Sequence, residues 1–234
     1  MTNTPSRPSA LITGASRGIG RAIALALAPT HDLLLTARDP AALAEVSAAA
    51  SARGAQCRCV PLDLRDPSAI AAALDGLAPE VLINNAGLAV MKPFLQLTPD
   101  EWHAQVDVNI NALYHVTRAV LPAMVARGSG HVITIGSLAG RNTFVGGSCY
   151  AGTKHFVMGF VDSLMLEVRD AGVKVSVVMP GSVDTDLFPA GTDRTWMLEP
   201  EDVAEVVAHM VHTPAHALQA RVEVRPLSPK RPRT

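Results

Sequence analysis

Short apolar runs alternate with longer alanine-rich stretches from one end of the chain to the other. The runs Ala10–Thr13, Asp32–Thr36, Gln56–Pro61, Val81–Asn84, His131–Ile135, Lys174–Met179 and Arg221–Arg225 predict strands. The stretches between them predict helices over Gly18–Ala28, Ala41–Ala52, Ser68–Leu77, Pro99–Ala126, Ala151–Asp170 and Pro200–His212. Pro40, Pro67, Pro99 and Pro200 stand at or just before helix starts, where a missing N–H costs nothing. Continuous apolar strands such as Val175-Ser-Val-Val-Met179 suit a parallel sheet covered on both faces. Strict alternation of the two element types predicts an α/β, doubly wound parallel sheet of seven strands with helices on both faces. No internal repeat or linker divides the chain, so residues 1–234 read as one domain. The ends, 1–8 and 228–234, read as flexible, the latter as a solvated basic tail.

Composition narrows the partners. At 234 residues, 48% of them hydrophobic and 18% charged, the chain is globular and able to bury a sizeable core. A net charge of −1 offers no electrostatic case for nucleic acid or an anionic membrane as partner. No apolar run approaches the roughly 18 to 20 residues of a bilayer span. The polar, proline-broken start has no signal-peptide core, and the expected compartment is the cytoplasm. Cys57 and Cys59, two apart in a strand, share a face and read as small near-core side chains rather than a metal site. Cys149 reads as a packing residue.

Two strings carry the chemistry. The first, Thr13-Gly-Ala-Ser-Arg-Gly18-Ile-Gly20, follows the first strand and opens the first helix. Gly14, Gly18 and Gly20 lack a Cβ, so backbone N–H groups can approach a pyrophosphate at the positive end of the helix dipole. The second is Tyr150-Ala-Gly-Thr-Lys154, with Ser137 upstream. A four-residue step puts Tyr150 and Lys154 on one helix face. A free phenol has a pKa of roughly 10, and a neighbouring ammonium should lower it toward use as an acid or base. Alone, Tyr-x-x-x-Lys is more often a surface pair, and each string is a weak signal. Together they point to a dinucleotide at one end and phenol-based proton transfer at the other, hence to hydride transfer.

With these strings in place the chain resembles the short-chain dehydrogenase/reductase family over nearly its whole length. Asn84-Asn85-Ala86-Gly87 is similar to the family's motif after the fourth strand, Asp107-Val-Asn109 to its catalytic asparagine segment, and Pro180-Gly181-Ser-Val183-Asp-Thr185 to the segment capping the nicotinamide. Asp63 and Leu64 fall where the family meets the adenine. The resemblance implies a catalytic tetrad of Asn109, Ser137, Tyr150 and Lys154. Ser137 would orient a carbonyl oxygen and Tyr150 would deliver the proton. Lys154 would tune Tyr150 and hold the ribose, while Asn109 would hold a water joining Lys154 to solvent. It further implies cofactor contacts from Gly14, Ser16, Arg17, Gly18, Ile19, Gly20, Asn85, Ala86, Gly87, Pro180, Gly181, Val183 and Thr185, besides Tyr150 and Lys154.

The close Val222-Glu-Val-Arg-Pro226 is nearer to NADP-dependent 3-hydroxy acid dehydrogenases acting on serine or allo-threonine than to β-ketoacyl thioester reductases. A small 3-hydroxy acid or alcohol dehydrogenase, a broad carbonyl reductase and a thioester reductase remain open at this stage, as does a catalytically idle nucleotide-binding sensor or scaffold.

Cofactor choice turns on the end of the second strand, where an Asp or Glu would bind both ribose hydroxyls. Ala37 stands there, followed by Arg38, which favours NADP(H) over NAD(H); Arg17 can reach the same 2′-phosphate. The alternative has Arg38 in solvent and Asp39 on the ribose. Leu88, Val90, Leu138, Thr143, Phe144, Phe188, Trp196 and Met197 are expected to line a mostly apolar substrate pocket under a short lid near 184–199. Arg141 is a candidate for a substrate carboxylate, against a plain solvent-facing loop arginine. Apolar residues on several sides of the two long helices (Leu113, Val116 and Val120; Phe156, Phe160, Leu164 and Leu166) predict a homo-oligomer, dimer or tetramer.

Overall fold

The computed structural model describes residues 7–188 and 191–228. Its strands are β1 (Ser9–Thr13), β2 (Asp32–Ala37), β3 (Cys57–Pro61), β4 (Val81–Asn84), β5 (Gly130–Ile135), β6 (Val173–Pro180) and β7 (Arg221–Val224). All are parallel and form one seven-stranded sheet in the order β3-β2-β1-β4-β5-β6-β7. The helices are α1 (Gly18–Leu27), α2 (Pro40–Ser51), α3 (Pro67–Leu74), α4 (Pro99–Val106), α5 (Ala112–Arg127), α6 (Ser148–Val168) and α7 (Pro200–Val211).

The sheet is buried on both sides, which is why its strands read as unbroken apolar runs. In β1, Ala10 and Ile12 pack beneath α1, α2 and α7 with Ile23, Leu43 and Val207. Leu11, between them, packs the other way, with Ile70, Val120 and Val161 of α3, α5 and α6. Helix starts follow the local chemistry. Asp39 and Asp66 cap α2 and α3 by accepting from the first free N–H groups, each followed by a proline. Thr98 and Glu101 form a capping box at α4.

Strand order reverses between β1 and β4, and in such sheets a ligand crevice opens above that point, at the carboxyl ends of the strands. The Gly14–Gly20 turn and the Asn84–Gly87 loop both leave the sheet there.

Two expectations change. The single helix expected over Pro99–Ala126 is interrupted by a π-turn at Asp107–Asn111, an irregularity that hydrophobic periodicity does not reveal. Leu113, Val116, Val120 and Leu164, offered as part of a second apolar face, are buried in the chain's own core. Of that set only Phe156 and Leu166 are exposed. The ends expected to be loose, 1–8 and 228–234, lie mostly outside the described residues, but Arg7 is tied down by bonds from its guanidinium to the Ala28 and His31 carbonyls. No helix among the described residues is long and apolar enough to cross a membrane.

Candidate active site

One large crevice runs along the carboxyl edge of the sheet, from Arg38 and Asp63 at one end to Phe144 and Trp196 at the other. Its floor is the glycine turn. Gly14 and Gly18 adopt φ of +66° and +51°, backbone that side chains rarely tolerate. At Gly20 an added Cβ would sit 2.2 Å from the Gly14 oxygen and 2.5 Å from Asn85 Nδ2, so the turn closes only with glycine there. Thr13 Oγ1 accepts from the Asn85 and Ala86 N–H groups, and Asn85 Nδ2 donates to the Thr13 and Gly14 carbonyls. The two loops thus hold each other across the crevice. Arg17 is the N-cap of α1 and makes no side-chain cap, nor does the first turn carry an acid, which leaves the leading N–H groups of α1 for an anion. These features fit a dinucleotide pyrophosphate.

Asp39 Oδ1 accepts from Ala41 and Ala42 N–H as the α2 cap, and Asp39 also lines the crevice beside Arg38. Arg38 is exposed, lines the crevice, and its charge helps lower the Asp63 pKa. Asp63 itself is gripped by Arg65, whose Nη2 lies 2.6 Å from Oδ2, and this pairing holds its carboxyl down to about 2. Arg65 was not singled out from the sequence, and no motif marks it. Arg17 turns the other way, to Asp186 of the lid segment at 2.6 Å.

The end of the crevice expected to transfer the proton is built on α6 and the turn after β5. An added Cβ on Gly140 would lie 2.7 Å from the Lys154 carbonyl, so glycine lets the 3₁₀ turn Leu138–Gly140 press against α6. That approach brings Ser137, the cap of the turn, within hydrogen-bonding reach of the Tyr150 hydroxyl. Ser137 Oγ also accepts from Ala139 N–H at 3.1 Å, which fixes its rotamer and leaves its proton to donate. Lys154 is buried, with Nζ donating to the Ile135 carbonyl at 3.0 Å and standing 5.8 Å from the centre of the Tyr150 ring. Burial lowers the Lys154 pKa to about 8. Burial also raises Tyr150, opposed by the bond with Ser137. The phenol, expected to be lowered by Lys154, is therefore held protonated by the protein alone.

Asn109 sits in the π-turn with its side chain committed. Oδ1 accepts from Leu88 N–H at 2.8 Å, and Nδ2 donates to the Leu88 carbonyl at 2.8 Å and to Thr153 Oγ1 at 3.0 Å. Gln105, absent from the sequence reading, accepts in the same way from Val90 N–H at 3.0 Å. The loop after β4 is thereby pinned to α4 and the π-turn. A small cavity is lined by Asn84, Asn109, Thr134 and Lys154 together with apolar residues such as Val108, Leu113 and Val157.

Ser16, Ile19, Leu64, Gly87, Pro180, Gly181, Val183 and Thr185 line the main crevice along with Leu88, Leu138, Thr143, Phe144, Phe188 and Trp196. Val90 and Met197 do not. Arg141 does not either: it forms an ion pair with Glu223 of β7. Arg194, which sequence reasoning passed over, lines the crevice from the lid and spends its guanidinium on Asp184 and the Phe188 carbonyl, each at 2.7 Å.

Comparison with known proteins agrees with this geometry. The family model described as short chain dehydrogenase matches residues 8–195. Sulfoacetaldehyde reductase 2 of Chromohalobacter salexigens is 36% identical over 92% of this chain and 93% of its own length. The NADP-dependent 3-hydroxy acid dehydrogenase YdfG of Escherichia coli is 34% identical over 93% of this chain and 94% of its own. Among solved structures, a closed form of serine dehydrogenase complexed with NADP+ superposes with a TM-score of 0.85 at 32% identity, covering 92% of this chain and 94% of that one.

Proposed function

This chain belongs to the short-chain dehydrogenase/reductase family, is an oxidoreductase using a nicotinamide dinucleotide, and on that premise we propose that it is an NADP-dependent reductase of small carbonyl compounds, reversible to the secondary alcohol. The observation that carries this reading is the grouping of half-buried Ser137 and Tyr150 with buried Lys154 at the end of a glycine-floored crevice.

The nicotinamide supplies the hydride; the protein supplies aim and protons. Ser137, with one lone pair occupied by Ala139 N–H, turns its own proton toward a substrate oxygen. Tyr150, protonated at neutral pH, donates to the same oxygen as negative charge develops on it. Lys154 holds the cofactor ribose and stabilises the phenolate left behind, and its lowered pKa keeps it able to pass a proton on. Asn109 holds Leu88 at the pocket wall, and with Lys154 it lines a small cavity suited to a water that relays protons to Lys154.

NADP(H) is preferred on two grounds. Oδ1 of Asp39 is engaged in capping α2, and Arg38 stands in the crevice to meet a 2′-phosphate. The relatives named for NADP agree in direction. In Arg38→Ala, kcat/KM with NADPH should fall roughly tenfold or more while that with NADH stays level, a charge-assisted bond being lost only with the phosphate. Better use of NADH by the wild type, or an unchanged NADPH constant in the variant, would overturn the assignment.

The thioester-reductase and idle-sensor readings are separated by one assay. Nicotinamide absorbance followed with short hydroxy acids, diketones, aldehydes and an acetoacetyl thioester should show turnover with the small carbonyls. Cofactor binding without any turnover would favour the sensor.

A second copy of the chain is the expected partner, now on narrower grounds. The outer face of α6 exposes Phe156, stacked on Phe160 with ring centres 6.0 Å apart, and Leu166, while Gly152 and Gly159 meet nothing within 4 Å. Glycines with open space beside them allow close helix approach. Light scattering at micromolar protein should return a dimer or larger, and Phe156→Glu should shift it toward the monomer; a monomeric wild type would refute the expectation.

A further inference from the structure

We propose that Arg225, at the end of β7, reads a negatively charged end on the substrate. The proposal rests on the carbonyl-reductase reading for its chemistry and adds a specificity residue to it.

Arg225 lines the crevice, and its place along the crevice is set by its neighbours. Gly181 N–H donates to the Val224 carbonyl at 2.8 Å, and a Cβ on Gly181 would lie 2.9 Å from Pro226 and 3.3 Å from Leu138. The chain at 224–226 therefore runs beside Gly181 and Leu138, past the proton-transfer group and far from the Arg38 end. No cofactor phosphate is expected at this end.

Charge is unbalanced there. Glu223 is bonded to two guanidiniums, Arg141 and Arg225. Both arginines help to hold Glu223 ionised, so the trio carries one net positive charge. Arg141 does not line the crevice, so the charge reaches the pocket through Arg225. Arg225 is also aimed. Its Nε and Nη2 fork onto Glu223 Oε2 at 2.9 and 2.7 Å, which fixes the guanidinium plane, and its Nη1 makes no hydrogen bond among the described residues. A guanidinium held on one edge with donors left over is suited to accept a carboxylate or sulfonate without reorganising. Arg194, which also lines the crevice, is paired with Asp184 and donates to the Phe188 carbonyl. The remaining substrate wall is chiefly apolar (Leu88, Leu138, Phe144, Phe188, Trp196), so a charge there discriminates strongly.

The test pairs an anionic carbonyl, succinic semialdehyde, with its uncharged methyl ester, using the whole protein with NADPH. In Arg225→Met, KM for the anionic aldehyde should rise roughly 10- to 100-fold, the range for a lost charge-assisted hydrogen bond, with kcat changed far less. KM for the ester should stay within about twofold, and Arg225→Lys should recover part of the loss because it keeps the charge but not the fork. Equal losses on both substrates, or none, would overturn the proposal while leaving the reductase reading intact. A wild type that prefers the ester would do the same. A second measurement does not depend on turnover: calorimetric binding of succinate to the NADP+-loaded protein should be weakened at least about tenfold in Arg225→Met, with NADP+ affinity unchanged. Succinate binding without turnover of any carbonyl would support Arg225 as an anion site and sink the reductase reading instead. Undiminished succinate binding in Arg225→Met would refute Arg225.

Discussion

Replacing Tyr150 by phenylalanine should lower kcat by about 10² to 10⁴ and leave NADPH affinity nearly unchanged. The change removes one oxygen from a ring held on α6, whose backbone has no other reason to move. In the proposed mechanism that oxygen protonates the carbonyl: burial raises its pKa, so it enters the reaction with its proton, Lys154 acts through the phenol rather than on the substrate, and Ser137 is too weak an acid to substitute. Lys154→Ala should behave differently. It removes the ammonium proposed to hold the ribose and to receive the phenolate, so cofactor affinity and rate should fall together. Stopped-flow single turnovers and fluorescence titration with NADPH separate the two outcomes. A Tyr150→Phe enzyme retaining more than about a tenth of the rate would show that the proton comes from elsewhere. A Lys154→Ala enzyme that loses rate alone would show that Lys154 does not touch the cofactor.

Much of this site was legible before the coordinates, for local reasons. Positive φ at Gly14 and Gly18 follows from a strand turning directly into a helix, and Tyr150 and Lys154 lie one turn apart wherever that segment is helical. Proline after Asp39 and Asp66 announces α2 and α3. What stayed hidden depends on contacts between segments distant in sequence. Arg141 reads from sequence as either a loop arginine facing solvent or a contact for a substrate carboxylate, and its actual partner, Glu223, arrives from β7, 82 residues later. Asn109 is singled out by the resemblance, but only as a residue inside one continuous helix. Its π-turn and its grip on Leu88 need the loop after β4 to be in place first. The oligomer argument shows the same limit. Periodicity says that α5 and α6 are apolar around much of their circumference, but not which stripe the chain itself covers, and the sheet turned out to claim Val116, Val120 and Leu164. Cofactor selection was half legible: Arg38 is visible in sequence, whereas the engagement of Asp39 Oδ1 in the α2 cap had to be seen.

The second large effect concerns stability rather than rate. His131, the second residue of β5, lies at the end of that strand away from the crevice and is 5% exposed. Its Nε2 pairs with Ser176 Oγ at 2.9 Å, and its Nδ1 has no partner among the described residues. Burial, assisted by the charge of Lys174, lowers its pKa from 6.5 to about 3. The folded protein thus keeps this ring neutral at pH values where the unfolded chain would protonate it. A group whose folded pKa is depressed contributes stability that is fully present above its unfolded pKa, here 6.5, and is lost progressively as the pH falls toward 3. The whole effect is about 5 kcal/mol, of which about 2 kcal/mol is lost between pH 7.5 and 5. That interval lies above the range in which ordinary carboxylates titrate, so it isolates histidines. His31, also lowered chiefly by burial, acts in the same direction and must be varied in parallel. Urea unfolding of the wild type should therefore show stability falling between pH 7.5 and 5. His131→Gln, which keeps a polar partner for Ser176 but has no proton to gain, should be less stable at pH 7.5 and show a flatter slope. An unchanged slope in His131→Gln would mean that His131 can take up a proton in the folded protein, and that the N-terminal end of β5 opens more readily than its burial implies.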